Sequence, residues 1–334
     1  MKKLLSVLLS LILTAGVVTG CKSVNDSADN KEPAVVAKVG ALKGPTSMGM
    51  VKMMSENDGD EKGYSFSIQN SVDEIVPKIV KGEFDIAAVP SNLSSVLYNK
   101  TKGKVVTLAI NTLGVLYVVE NGDTVKSLED LKGKTIYSSG KGASPEYTLN
   151  YILKANGIDP QKDVTVDYKT EHTEALQTLM KDKDAVAVLP QPFVTVATTK
   201  NPSLKSVLNL SEEWDKAAQK NGSKSALIMG VVVANKDFVE KYPQKVADFM
   251  SKYKKSVDFT NNNVDEAAKL IAAKDIVPEP IAKKAIPFCN ITFIAGSEMK
   301  EKLSGYLEVL SKANPQSVGG KLPNEDFYYI GETK

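Results

Sequence analysis

Two stretches of the sequence nearly repeat each other: Phe84-Asp85-Ile86-Ala87-Ala88-Val89-Pro90 and Asp184-Ala185-Val186-Ala187-Val188-Leu189-Pro190. Each is a short apolar run that follows a charged residue and ends at proline. This pattern predicts a buried strand that ends in a loop. The two final prolines are 100 positions apart (190 − 90). The repeat therefore indicates that one strand unit occurs twice in the chain.

The likeness between the two halves extends upstream of these runs. Val39–Ser47 and Ile136–Ser144 each join a strand to a loop and lead into a helical pattern. A further strand is predicted in each half, at Tyr64–Gln69 and at Val164–Tyr168. We therefore expect the α/β class, with two similar lobes of open, mostly parallel sheets flanked by helices. Facing lobes of this kind would place their strand-end loops around one cleft, which is the expected site.

The charge balance argues against a nucleic-acid partner. The chain has 42 basic residues, all of them lysine, against 40 acidic residues, whereas nucleic-acid binding needs a basic surplus. Without arginine the chain lacks the planar fork that grips an anion bidentately. An anion would have to be held by lysine, hydroxyls or backbone N–H groups.

The cysteine and histidine content gives no sign of a metal or catalytic centre. Cys21, Cys289 and His172 are the only residues of these two types, and they fit neither a disulfide framework nor a zinc site. We expect no metal, no cofactor and no catalytic residues. Cys289 follows apolar sequence and is interpreted as a small buried residue, and His172 as a solvent-facing or capping residue at a helix start.

The N-terminus is typical of an export signal. Met1-Lys2-Lys3 precedes the apolar run Leu4–Val18, which is too short to span a bilayer comfortably. Val18-Thr19-Gly20-Cys21 resembles the lipobox of bacterial lipoproteins. That resemblance implies a signal peptide over residues 1–20, a lipid (palmitate) on Cys21 and an anchor on the extracytoplasmic face of the cell membrane. An ordinary secretory signal with an accidental cysteine is the alternative.

The remaining sequence suggests how the lobes are divided. Residues 21–35 are polar and are predicted to form a flexible tether. Lobe 1 is expected to comprise residues 36–112 and 228–334, with C-terminal helices, and lobe 2 residues 113–227. A polar break at Asn111-Thr112-Leu113-Gly114 is a candidate hinge, and the apolar run Ala226–Ala234 is interpreted as the return crossing.

These features together resemble the solute-binding lipoproteins of ABC transporters, of the two-crossover (type II periplasmic-binding-protein-like) class. The likeness lies in Gly44–Gly49, Phe84–Asn92, Ser127–Thr135 and Asp184–Pro192. Within the class, the chain is similar to the group that binds taurine, alkanesulfonates, nitrate or the pyrimidine precursor of thiamine. The resemblance implies a non-enzymatic monomer whose lobes close on a small solute. A membrane permease and its ATPase would then import that solute.

The same resemblance implies a set of ligand contacts at the strand ends. They are Thr46, Ser47, Met48, Ser91, Asn92, Asn111, Ser139, Gly142, Ala143, Ser144 and Gln191. The absence of arginine departs from what a strongly anionic sulfonate requires and favours a neutral or heteroaromatic ligand. Tyr137, Tyr147 and Phe193 are then candidate stacking faces, with core packing as the alternative for each ring.

Two other functions remain open from the sequence. A secreted enzyme related to pyrimidine synthesis would need an acid–base pair, a nucleophile or a metal in the cleft. The carboxylates of Asp85 and Asp184 lie at the strand ends away from the loops. The other alternative is a lipid-anchored adhesin or receptor subunit with an empty or lost site.

Overall fold

The two apolar repeats form the central strands of two different sheets. The computed structural model describes residues 35–223 and 225–331. Within this part, both repeats are strands that end at their prolines, Ile86–Pro90 and Val186–Pro190, and both are almost fully buried. Strands covered by helices on both faces are apolar throughout, which explains the uninterrupted runs. The strands are β1 (Ala37–Leu42), β2 (Tyr64–Gln69), β3 (Ile86–Pro90), β4 (Val105–Leu113), β5 (Leu116–Glu120), β6 (Thr135–Ser139), β7 (Thr165–Lys169), β8 (Val186–Pro190), β9 (Lys205–Asn209), β10 (Ile228–Asn235) and β11 (Ile291–Ala295).

The predicted α/β class, with two open sheets flanked by helices, is confirmed, and both sheets are mixed. The first sheet has the order β11-β4-β10-β3-β1-β2 and the second β7-β6-β8-β5-β9. In the first sheet β1 is parallel to β2 and β3, while β10 is antiparallel to β3 and β4. In the second sheet β6 is parallel to β7 and β8, while β5 is antiparallel to β8 and β9. We call the parts built on these sheets lobe 1 and lobe 2.

The antiparallel strands follow from the way the chain crosses between lobes. β5 and β10 are the first strands after each crossing, and they enter beside the ends of the repeated strands. Leu116 pairs with Pro190, and Gly230 pairs with Pro90. A strand that enters where its neighbours end must run in the opposite direction. The outward crossing is confined to Gly114 and Val115, since Asn111, Thr112 and Leu113 belong to β4.

Thirteen helices of the described residues cover the sheets. The helical segment after β1 divides into α1 and α2 around Gly49-Met50, and the segment after β10 divides into α9 and α10 at Tyr242, before Pro243. Proline lacks the N–H that a continuing helix would need. The helices are α1 (Pro45–Met48), α2 (Val51–Asn57), α3 (Val72–Val80), α4 (Ser91–Lys100), α5 (Ser144–Ala155), α6 (His172–Lys181), α7 (Phe193–Lys200), α8 (Leu210–Lys220), α9 (Lys236–Lys241), α10 (Pro243–Asn262), α11 (Val264–Ala273), α12 (Glu279–Ala285) and α13 (Gly296–Ala313).

The C-terminal part of the chain joins the core of lobe 1. Phe327 is fully buried, and the Tyr329 amide donates to the carbonyl of Thr107 in β4. Cys289 is also fully buried, as expected, and burial raises the pKa of its thiol. The signal peptide, Cys21 and most of the tether lie outside the described residues. No helix within the described residues is long and apolar enough to cross a membrane.

Candidate ligand site between the lobes

The strand-end loops of both lobes meet around one small cavity. Its volume is about 50 Å³. Lobe 1 contributes the loops after β1, β2 and β3, and lobe 2 the loops after β6 and β7. The loops at the carboxyl ends of parallel strands are where α/β sheets usually bind ligands. The lining residues are Leu42, Lys43, Asn70, Ser71, Val72, Pro90, Ser139, Gly140, Ala143, Pro145, Thr170, Glu171 and His172.

Four helices begin at this cavity, two from each lobe. Their N-cap residues, Ser71, Pro90, Ala143 and Glu171, all line it. In none of the four does the side chain of the cap residue accept a hydrogen bond from a backbone N–H of its own helix. The first N–H groups of a helix lack intrahelical partners and carry partial positive charge, so this arrangement favours an anion.

In three of the four helices, a glutamate of the first turn partly neutralises this positive charge. Glu74, Glu146 and Glu174 accept hydrogen bonds from the loop amides just before α3, α5 and α6. The first turn of α4 contains no acidic residue. The N-terminus of α4 is therefore the most electropositive of the four helix ends.

Four of the predicted ligand residues instead contact each other across the lobes. The hydroxyls of Ser91 and Ser144 are 2.9 Å apart, and the Asn92 amide donates to Ser144 Oγ at 3.3 Å. Asn92 Nδ2 also donates to the carbonyl of Gly142 at 3.2 Å. We call Ser91, Asn92, Gly142 and Ser144 the interlobe latch. The latch holds the lobes in what we call the closed arrangement, with its three polar side chains buried.

Thr46, Ser47 and Met48, also predicted contacts, lie within α1 and contact their own lobe. Thr46 Oγ1 donates to the Leu42 carbonyl at 3.1 Å, and Ser47 Oγ donates to the Gly44 carbonyl at 3.0 Å. Met48 is fully buried. In the closed arrangement none of the three lines the cavity.

Asn111 holds the α1 loop in place. Its Nδ2 donates to the Thr46 carbonyl at 3.2 Å, and its Oδ1 accepts from Thr112 Oγ1 at 3.1 Å. Gly230 lies against this pair: a Cβ at Gly230 would be 2.4 Å from Asn111 Oδ1 and 2.8 Å from Thr46 Cγ2. The backbone of β10 can approach Asn111 only because residue 230 has no side chain.

Gln191, expected to face the cleft, is directed toward its own helix. Its Oε1 accepts from Thr195 Oγ1 at 2.8 Å and from the Thr195 amide at 3.3 Å. The side chain is buried and does not line the cavity. It thus hydrogen-bonds to the first turn of α7.

Ser139 and Ala143 are the predicted contacts that do line the cavity, and Ser139 leads to a residue that the sequence interpretation missed. Ser139 Oγ hydrogen-bonds to Nδ1 of His172, whose ring lies 5.0 Å from that of Phe193. Burial lowers the pKa of His172 to about 4. At neutral pH the ring is uncharged and offers one donor and one acceptor.

Lys43 and Glu171 were also missed, and they bring opposite charges to the lining. Lys43 Nζ is 3.2 Å from Asp275 Oδ2, and Glu171 Oε2 accepts from Thr173 Oγ1 at 2.9 Å. The signal that could have identified Lys43, Glu171 and His172 is their place directly after the ends of β1 and β7. The prediction applied that rule only to loops with hydroxyl or glycine residues.

The proposed stacking rings do not line the cavity. The Tyr137 ring lies 5.4 Å from Lys169 Nζ, and its hydroxyl donates to Asp182 Oδ2 at 3.3 Å. Tyr147 packs against the core of lobe 2, and Phe193 contacts the cavity only through His172. The described residues contain no group of three His, Cys, Asp or Glu placed to hold a metal ion.

The fold and the cleft define the class of two-lobed periplasmic binding proteins. An ABC transporter structure from Parabacteroides distasonis is similar, with 24% identity, a TM-score of 0.72, and coverage of 90% of this chain and 100% of that chain. The aliphatic sulphonate binding protein SsuA from Escherichia coli is similar at 14% identity and a TM-score of 0.67, over 88% of this chain and 93% of SsuA. At these identities the likeness shows the fold alone.

A family model identifies the chain more specifically. The model described as ABC transporter, phosphonate, periplasmic substrate-binding protein matches residues 50–277, which is more than half of the chain. The chain belongs to this family of ABC transporter periplasmic substrate-binding proteins. No curated protein matches it in sequence.

Proposed function

We propose that the chain is the extracytoplasmic solute-binding lipoprotein of an ABC importer. It captures a small oxyanion-bearing solute between its lobes by hinge closure and delivers it to the permease and its ATPase. The observation that carries this proposal is the convergence of four helix N-termini, two from each lobe, on one cavity. A solute held there contacts both lobes and so favours their closure.

The charge of the cavity favours an anion over a neutral ring. Lys43 supplies a cation, and the N-terminus of α4, which has no acidic residue in its first turn, supplies the positive end of a helix dipole. The family description points to phosphonates, whose oxygens such groups can bind without arginine.

Glu171 suggests a further feature of the solute. Its carboxylate stands on the lobe 2 side of the same cavity, while Lys43 stands on the lobe 1 side. A solute with an amino group at one end and an oxyanion at the other would complement both charges. An aminoalkylphosphonate has this chemistry, and methylphosphonate is the matched solute that lacks the amino group.

The test is a thermal-shift screen of the chain that begins at Lys22. This chain keeps the whole compact unit from Val35 onward. The panel contains methylphosphonate, aminomethylphosphonate, phosphate, taurine, ethanesulfonate, nitrate and the pyrimidine precursor of thiamine. A ligand at 100 times its Kd stabilises by about 2.7 kcal/mol. We expect the largest shift with a phosphonate, and Glu171→Gln should remove any preference for the aminated one.

Other results of this screen would change the proposal. A shift with the pyrimidine alone would overturn the oxyanion assignment. No shift with any compound, in a well-folded protein, would favour a receptor or adhesin subunit. Conversion of any compound, followed by ³¹P or ¹H NMR, would indicate an enzyme.

Lipid anchoring at Cys21 is the second part of the proposal and rests on the lipobox-like sequence. The test expresses the full chain in a bacterial host that processes lipoproteins, with a palmitate analogue in the medium. We expect label on the protein and its recovery with membranes. Cys21→Ser should abolish both, and persistent labelling of that variant would contradict the assignment.

A further inference from the structure

A larger cavity lies between the lobes, away from the strand-end loops. Its volume is about 540 Å³, roughly ten times that of the cleft cavity and within the range of small-molecule sites. One wall belongs to lobe 2, from α5 and the turn after α8. The other belongs to α13, which follows β11 of the lobe 1 sheet. We call this the α5–α13 groove; it is lined by Tyr151, Lys154, Ala155, Asn221, Gly222, Ser223, Gly305, Glu308, Val309, Lys312 and Ala313.

The groove combines an apolar floor with a mainly basic rim. Tyr151 and Val309 are buried, and Gly305 leaves open space where a side chain would stand. Lys154 and Lys312 are exposed on opposite walls. Neither lysine forms an ion pair with another residue of the described part. Glu308 is the acidic residue of the lining, so the rim carries a net positive charge.

A row of three tilted aromatic rings connects the groove to the interlobe latch. The Tyr151 ring lies 4.6 Å from Trp214 at an interplanar angle of 48°, and Trp214 lies 5.3 Å from Tyr306 of α13 at 38°. Burial raises the pKa of the Tyr306 hydroxyl, while the nearby hydroxyls of Ser91, Ser144 and Thr148 act in the opposite direction. The row of rings therefore runs from the groove floor in lobe 2 to the latch, through a helix of lobe 1.

We propose that the α5–α13 groove is a second ligand site, which binds a small amphiphilic organic anion and thereby stabilises the closed arrangement of the lobes. The apolar body packs on Tyr151 and Val309, and the anionic group meets Lys154 and Lys312. Because the two walls belong to different lobes, any rotation of the lobes changes the groove. A ligand that fits the present spacing therefore favours the closed arrangement.

The probe is 1-anilinonaphthalene-8-sulfonate, an aromatic anion too large for the cleft cavity. Its own fluorescence reports binding, and Trp214, the single tryptophan of the chain, is buried under the groove. We expect the probe to bind saturably to the folded chain that begins at Lys22. One molar equivalent of bound probe should quench the fluorescence of Trp214. Binding that does not saturate, or that leaves Trp214 unchanged, would overturn the proposal.

Variants of the groove test its location. Gly305→Phe should fill the open space and lower the affinity for the probe about tenfold or more, a change of about 1.4 kcal/mol in binding free energy. Gly305→Ala is the matched control and should bind normally. Lys154→Gln with Lys312→Gln should weaken binding about threefold at low salt. Lys302→Gln, which changes a lysine of α13 outside the groove, should not. Equal affinity of Gly305→Phe and the parent would overturn the site.

A reversible crosslink tests the coupling to closure without knowledge of the solute. Ser91→Cys with Ser144→Cys places two thiols where hydroxyls are 2.9 Å apart across the lobes. The oxidised protein is held closed, and the same sample after reduction can open. We expect the probe to bind the oxidised form as tightly as the reduced form or more tightly. Weaker binding to the oxidised form would show that the groove belongs to the open arrangement and would overturn the proposal.

Discussion

The two lobes share a scaffold but differ in the loops that come after their repeated strands. After Pro90, Ser91 and Asn92 reach across the cleft to the other lobe. After Pro190, Gln191 folds back onto its own helix and binds Thr195. Both strands are apolar and buried, and each lies between one parallel and one antiparallel neighbour. The duplication thus repeats the framework, whereas only the first copy of this loop takes part in the interlobe latch.

Equivalent positions around the cavity also include residues that match between the lobes and residues that differ. Glu74 and Glu174 occupy matching places and make matching hydrogen bonds to the loop amides before α3 and α6. In contrast, Val72 of lobe 1 corresponds to His172 of lobe 2, and both line the cavity. Residues that hold the scaffold are alike in the two copies, and residues that line the cavity differ. We therefore propose that these differing residues determine specificity.

The largest expected effect comes from removing the latch asparagine. Asn92→Ala deletes donors to the buried carbonyl of Ser317 and to Gly142. A buried polar group without a partner costs about 1–3 kcal/mol, so we expect a loss of roughly 3 kcal/mol in the free energy of unfolding. Gln191→Ala, in the loop after the repeated strand of lobe 2, should cost about 1 kcal/mol, as for a lost helix cap. Urea unfolding measures both, and equal losses would remove the proposed asymmetry.

The framework of both lobes could be predicted from sequence because local signals determine it. Apolar runs that end at proline, and glycine or proline at helix starts, are readable within a few residues. The strands β9 and β11 were missed. Lys205–Asn209 and Ile291–Ala295 have weak patterns and are stabilised by pairing with β5 and β4. The direction of β5 and β10 was also missed, because it depends on where the chain re-enters each sheet.

The site was predicted less well than the fold. The sequence placed the strand-end loops at one cleft, but side-chain direction within a loop depends on tertiary neighbours. Gln191 was expected to face the cleft and instead bonds to its own helix. His172 was expected to be a capping or solvent-facing residue, yet it meets Ser139 from another loop. Contacts between loops that are far apart in sequence leave no local signal.

His172 and Val72 line the cavity at equivalent positions, but only His172 can take up a proton. The folded-state pKa of His172 is about 4, below its ordinary value of 6.5. The contribution of the neutral His172 ring to the free energy of unfolding is therefore complete above pH 6.5. It is lost as the pH falls from 6.5 to 4, because only the unfolded chain gains the proton in this range. We expect a loss of roughly 3 kcal/mol over this interval. His172→Gln should flatten this part of the stability profile, measured by urea unfolding.

Val72→Gln is the matched control for that experiment. It makes the equivalent position of lobe 1 polar without adding a titratable group, so the pH profile should keep its slope. An unchanged slope in His172→Gln would show that His172 does not carry the effect. If the slope changed in both variants, the pH dependence of stability would belong to the cavity in general and not to His172.

Replacement of the two equivalent lysines, Lys43 and Lys141, should have different and smaller effects on solute affinity. Lys43 lines the cavity, whereas its counterpart Lys141, at the matching place in the lobe 2 loop, is exposed and does not. Lys43→Gln should weaken the tightest-binding oxyanion of the panel about fivefold, since it removes a charge at the edge of the site. Lys141→Gln should leave the affinity unchanged, as measured by calorimetry. Equal weakening would indicate a general electrostatic effect.

The smallest expected effect concerns the partner of Lys43. Asp275 is exposed and pairs with Lys43 at 3.2 Å, so Asp275→Asn should change the free energy of unfolding by only a few tenths of a kcal/mol. Asparagine also tolerates the positive φ of 53° at this position. Freed from this carboxylate, Lys43 should bind the oxyanion about twofold more tightly at low salt, and the gain should disappear at high salt. An affinity that falls instead would mean that Asp275 positions the Lys43 ammonium for the solute rather than competing with it.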